Sequence, residues 1–202
     1  MMRSVGLISA FLYLLIAGCT SRHLSGEELT AFVADESHGL SKSVTAGNNV
    51  TVKVTYRPTD SWVYQEIGKH NATPQQIDTF RKKYSQYLYF ILSLSANNKE
   101  ALHQAASDQY GDLVQTLSFR MNNYVTLTTS ANDSIPVGDF MLNRTYGMSN
   151  STDLLFVFSK EKAKGKDWIQ FNLNEFGLGI GNQRFRFEMR DLESVPEVTF
   201  EN

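Results

Sequence analysis

Apolar and polar positions alternate most cleanly over residues 50–57, where Val50, Val52, Val54 and Tyr56 interleave with Thr51, Lys53, Thr55 and Arg57. A period of two puts the first set on one face of a strand and the second on the other. Ser41 to Thr45 is predicted to pair with Asn49 to Arg57 across Ala46-Gly47-Asn48, a connection suited to a hairpin turn. Upstream the period is helical. Ser25-Gly26-Glu27-Glu28 spells a capping box, Leu29, Phe32 and Val33 follow at helical spacing, and Gly39 is placed to close the segment. Arg57-Pro58-Thr59-Asp60 ends the strand, and Ser61 to Ile67, with Trp62 and Tyr64, fits either a strand or a helix. Thr73-Pro74-Gln75-Gln76 is a second helix start, with Ile77, Phe80 and Tyr84 as its apolar side.

Tyr87 to Ser95 carries Leu88, Phe90, Leu92 and Leu94 on one face and Tyr87, Tyr89 and Ile91 on the other, the pattern of a central strand covered on both sides. Asn97-Asn98 marks a turn, and Glu100 to Tyr110 reads as a short helix or a loop. Leu113 to Met121 and Tyr124 to Thr129 are predicted to form a hairpin around Asn122-Asn123. Strands follow at Val137 to Arg144 and Asp153 to Lys160, then a lysine-rich tip over Glu161 to Asp167. Trp168 to Phe176 and Arg184 to Arg190 are the next strands, joined through Gly177-Leu178-Gly179-Ile180-Gly181, and Val198 to Phe200 is an edge strand after Pro196. About eight to ten strands with few helical crossovers imply antiparallel neighbours. The expected fold is mainly β: an antiparallel β-sandwich, or in second place a β-barrel, with two or three short helices.

The first residues have a different character. Met1-Met2-Arg3 is a positive start, and Val5 to Ile16 is almost uninterruptedly apolar, too short for a spanning helix of about 20 residues. Ile16-Ala17-Gly18-Cys19 resembles the lipobox of bacterial lipoproteins. That resemblance implies cleavage between Gly18 and Cys19, a diacylglycerol on the Cys19 thiol and, usually, a third acyl chain on the new amino group. The chain would then divide into a signal peptide (1–18), a lipidated tether (19–25) and a single β-rich domain (26–202). Two or more acyl chains anchor a protein stably, whereas one alone is marginal. Thr20, where retained lipoproteins of the inner membrane carry aspartate, implies the outer membrane. Ser21-Arg22-His23-Leu24 is not an acidic export cluster, which favours a periplasm-facing head.

Composition narrows the function further. The net charge is -2 over 202 residues, and losing Arg3 with the leader makes it more negative, which argues against a nucleic-acid partner. Cys19 is the sole cysteine, so the mature chain has neither an intramolecular disulfide nor a cysteine-only metal site. His23, His38, His70 and His103 form no pair at metal-ligand spacing, and neither a metal nor a cofactor is expected. Ser159-Lys160-Glu161-Lys162 matches the Ser-x-x-Lys spelling of penicillin-recognising enzymes, but at a strand end instead of a helix start. The Gly177–Gly181 run lacks the strand-to-helix setting of a nucleotide fingerprint and is read as a bulge or sheet corner. The lysines of 160–166 are read as a solvated turn, diluted by Glu161 and Asp167.

Arg57, Asp60, Asp139 and Arg144 are candidates for a polar recognition cluster, or else for ordinary loop ion pairs. Trp62 and Trp168 are candidate sugar platforms, with a core role standing beside that reading. No nucleophile–base pair suggests itself, so the protein is expected not to be an enzyme, an envelope hydrolase being the least favoured reading. The leading expectation is a lipid-anchored interaction or assembly module that docks another envelope protein, as in an outer-membrane or secretion complex. The alternative is a glycan or small-ligand binder.

Overall fold

The computed structural model describes residues 23–68 and 72–200. Gly18, Cys19 and His70 lie outside the described residues. Strand β1 (Ser41–Thr45) and strand β2 (Val50–Arg57) form the expected hairpin, with Ser41 opposite Thr55 and Thr45 opposite Thr51. Val50, Val52, Val54 and Tyr56 are buried, and their polar alternates are half-buried on the other face. Strand β3 (Tyr87–Ala96) lies against β2, and the positive φ of Asn97 and Asn98 turns the chain back into the two-residue β4 (Lys99–Glu100).

The chain then builds a second sheet from β5 (Val125–Thr129) and β6 (Ser134–Pro136). It returns to the first with β7 (Asp139–Asn143) and β8 (Thr152–Ser159), and closes the second with β9 (Trp168–Leu173) and β10 (Gln183–Glu188). The first sheet runs β1-β2-β3-β8-β7 and the second β10-β9-β5-β6, every neighbour antiparallel. Their inner faces share one core. Phe90 of β3 sits 5.7 Å from Phe171 of β9 and 5.1 Å from Phe187 of β10, and Phe156 of β8 packs edge-on to Phe171 at 5.7 Å. Tilted aromatic pairs of this kind add about 0.5–1.5 kcal/mol each beyond the area they bury.

Helices cover the outer face of the first sheet. The capping box predicted at Ser25 starts α1 (Gly26–Ala34), and Gly39, at φ 74°, ends the 3-10 turn that follows. Pro58 leads into α2 (Thr59–Ile67), which decides the ambiguous segment in favour of helix, and the Thr73 box opens α3 (Pro74–Tyr84). Val63 and Ile67 of α2 meet Ile77 of α3 in a satellite cluster flanked by Phe80 and Tyr84.

Several expectations are corrected. Strands hold 34% and helices 36% of the described residues, more helix than a mainly β label allows. Neither sheet closes on itself, so the barrel alternative falls. Among the described residues six α-helices stand where two or three were expected: α4 (Ala101–Gln104), α5 (Ser107–Phe119) and α6 (Met189–Glu193) complete the set. Helix α5 replaces the first arm of the predicted 113–129 hairpin. Leu113, Leu117 and Met121 satisfy both a period of two and a spacing of four. Phe119, which a strand would turn inward with them, is 76% exposed. The strand predicted at 137–144 is found as the shorter β7, and the residues just before it make β6, an unpredicted strand of the other sheet. Val198 makes one parallel bridge with Leu24 in place of an edge strand, with Leu24 N donating to Glu197 O at 3.0 Å. Leu24, assigned to the tether by sequence, is therefore buried and docked on the domain.

Candidate ligand cavity

Helices α1 and α2 stand on the outer face of β1–β2–β3 and leave a hollow of about 560 Å³ beneath them. Ligand pockets commonly enclose about 300–1,000 Å³. Gly26 sets the approach of the two helices: a Cβ there would strike the ring of Tyr64. Ser41 fixes α1 to the sheet, donating to Val33 O at 2.7 Å and sharing a hydrogen bond with Thr55 at 3.0 Å. Val33, Ala34 and Tyr64 make much of the roof and Ile91 part of the floor. Most of the wall is apolar, with polar groups at a few points.

Two of those points are cationic. Lys53 and Arg57 lie on the same face of β2, flanking Thr55, and none of the described residues lining the cavity is acidic. The Arg57 guanidinium stacks on the Trp62 indole at 3.9 Å and donates to Gln65 Oε1 at 2.6 Å. Among the described residues no carboxylate forms an ion pair with it. Burial draws its pKa below the usual arginine value. Trp62 in turn packs on Tyr84 and Tyr89 at 5.9 and 5.0 Å, and its buried Nε1 has no hydrogen-bond acceptor among the described residues. Burial also pushes the Tyr89 phenol up to about 12. The described lining carries hydroxyls at Thr30, Thr55, Ser61 and Tyr64, and among the described residues it holds neither a histidine nor a carboxylate.

The four-residue polar cluster does not assemble. Asp60 turns away from Arg57 and takes Arg81 through both oxygens, at 2.8 and 2.7 Å, as well as the amide of Val198 at 2.8 Å. Asp139 accepts from the next amide, that of Phe140. Arg144 lines a separate hollow of about 110 Å³ beside Glu100 and His103. Only Arg57 of the four reaches the cavity. The faces of both tryptophans meet arginines, Trp62 under Arg57 and Trp168 under Arg186 at 4.1 Å, so neither offers an open sugar platform on that side.

Two carboxylates, one buried and one half-buried, escaped the sequence reading. Glu100 is 3% exposed and accepts from Thr145 Oγ1, Gly147 N and Ser149 N at 2.5, 2.8 and 3.1 Å, with His103 Nε2 3.4 Å away. Glu175 accepts from the amides of Phe176, Gly177, Gly179 and Gly181. For each, burial raises the pKa but the hydrogen bonds outweigh it, and the net shift is downward. The glycine run is thus neither a bulge nor a nucleotide loop. It is an anion nest, with glycines at φ 106°, 74° and 66°, filled by the chain's own carboxylate. Alternating glycines were the visible signal; the preceding glutamate was its missing half.

Ser159 ends β8 and Lys162 sits in a 3-10 turn, which leaves the Ser-x-x-Lys spelling without its helix. Lys166 of the tip pairs with Asp133 at 2.9 Å. Among the described residues no group of three His, Cys, Asp or Glu is placed to hold a metal ion, and no helix is long and apolar enough to cross a membrane.

No family model and no curated protein matches the chain. A solved structure, a novel protein of unknown function from Burkholderia pseudomallei K96243, is similar at 12% identity and a TM-score of 0.40, with 86% of this chain and 94% of that chain covered.

Proposed function

We propose that the chain is a lipid-anchored envelope protein whose head binds a small ligand in the cavity beneath α1 and α2. The anchor rests on the leader pattern and Cys19, with attachment at the outer membrane and the head facing the periplasm. The paired sheets are read as the two layers of a sandwich, with the site on the outside of one layer. One observation carries the binding reading: a mostly apolar hollow of ligand size whose charged residues, Arg57 and Lys53, have no acid among the described lining residues to neutralise them. A half-dehydrated cation without an opposite charge beside it is costly, and a ligand that brings an anion relieves that cost. The test is native mass spectrometry of protein released gently from envelopes. The wild type is expected to carry a bound small molecule, and Ala34→Trp, a change at an exposed lining position, to lose it. Equal occupancy in both would refute the assignment.

A second reading, docking of another envelope protein, is favoured by large apolar side chains left in water on α5, on β7 and in the loop after it. Phe119 is 76%, Met141 60%, Tyr146 72% and Met148 85% exposed. Crosslinking from Tyr146 in intact cells tests it; recovery of the uncrosslinked protein alone counts against it.

A further inference from the structure

Antiparallel register extends the cavity floor across the sheet. Thr55, Ile91, Leu155 and Met141 fall opposite one another on β2, β3, β8 and β7 and share the outer face. Ile91 lines the cavity, Leu155 is half-buried, and Met141, on the edge strand, is 60% exposed. The row on one side is polar throughout: Lys53, Ser93, Asp153 and Asn143. The other runs Arg57, Tyr89, Val157 and Asp139, charged at its two ends and apolar between them. An apolar track therefore leaves the cavity between the two cations and runs to the sheet edge. Three interstrand steps make it about 14 Å long. With C–C bonds of about 1.5 Å in an extended zigzag, about eleven or twelve carbons cover that distance.

Resting on the ligand-binding reading above, we infer that the ligand is a single acyl chain with an anionic head. The head lies over Thr55, between Arg57 and Lys53, and the tail follows Ile91 and Leu155 toward Met141. A charge-assisted contact to a guanidinium shielded on one face by Trp62 selects the anion. The apolar row selects the chain, since each buried methylene contributes roughly fourfold in affinity. Free fatty acid and alkyl phosphate share this chemistry, so the test includes both.

Calorimetric titration of the full chain uses laurate, dodecyl phosphate, dodecanol, decanoate and butyrate, each below its aggregation threshold. Laurate or dodecyl phosphate is expected to bind at least tenfold more tightly than dodecanol, and the tighter of the two assigns the head as carboxylate or phosphate. Butyrate is expected not to bind. Arg57→Gln should remove the preference for the anion over dodecanol. Met141→Glu should remove the gain from decanoate to dodecanoate and leave decanoate binding in place. Equal affinity for dodecanol and both anions in the wild type would overturn the anionic-head inference while sparing the cavity. Absence of binding by every chain would instead bring down the ligand-binding reading itself.

Discussion

Glu175→Gln removes one charge from a site where four backbone amides converge on it. The amide oxygen can replace Oε1 and keep the N–H groups of Phe176, Gly177 and Gly179, now at a neutral acceptor. The new NH₂ takes the place of Oε2 and faces the Gly181 N–H, donor against donor. Bonds to a charged acceptor contribute about 1.5–3 kcal/mol and neutral ones about 0.5–1.5, so three weakened bonds and one lost one total about 6 kcal/mol before relief of desolvation and solvent screening. Glu175 is half-buried, and allowing for that relief leaves a net cost of about 2–3 kcal/mol. For a domain of this size the melting temperature should fall by about 5–10 °C, measured by calorimetry at pH 7.

The same carboxylate supplies a pH signature. Its folded pKa lies below the ordinary 4.5, so its contribution is complete above that value and is lost as pH falls through the lower, folded value. The gap between wild type and variant should hold from pH 7 to about 5 and close progressively below about 4.5. A variant that melts within 1 °C of wild type at pH 7, or a gap that widens in acid, would refute the nest.

Other changes test other joints. Gly26→Ala forces a methyl into the Tyr64 ring and should cost about 1–3 kcal/mol while lowering ligand occupancy, seen by melting and native mass spectrometry. Asp60→Asn weakens the clamp on Arg81 and Val198; with Arg81 partly exposed, the cost should be about 1–2 kcal/mol, and hydrogen exchange at Val198 and Thr199 should rise first. Leu113→Ala should lose about 2–4 kcal/mol and Phe119→Ala less than about 0.5, whereas a strand with both side chains inward would make both changes costly, and denaturant melts decide it. Glu100→Gln should loosen the 145–149 loop, with its stability gap against wild type also closing below about pH 4.5, because the folded pKa of Glu100 is lowered too.

Local signals were the most legible part of the chain. Ser25 and Thr73 each read as a capping box and each makes one, because the whole motif lies within four residues. The β1–β2 hairpin and the central place of β3 follow equally from short-range alternation and from apolar residues on both faces. Helix α5 did not, since Leu113, Leu117 and Met121 suit two periods at once and only burial of the rest separates them. The cavity was less legible still. It depends on α2 folding back over the sheet and on Gly26 meeting Tyr64, contacts between residues 38 positions apart. Arg57 was visible as a candidate, but its partners were not: Asp60, three residues on, turns to Arg81, and Trp62 and Gln65 take its place.

Methyl-resolved NMR during a laurate titration tests the cavity most directly. The methyls of Ile91 and Val33, which line it, should shift together and saturate at one equivalent, while Ile169 and Ile135 of the second sheet stay within noise. Shifts confined to the second sheet, or none at Ile91 when laurate is demonstrably bound, would contradict the site assigned to it.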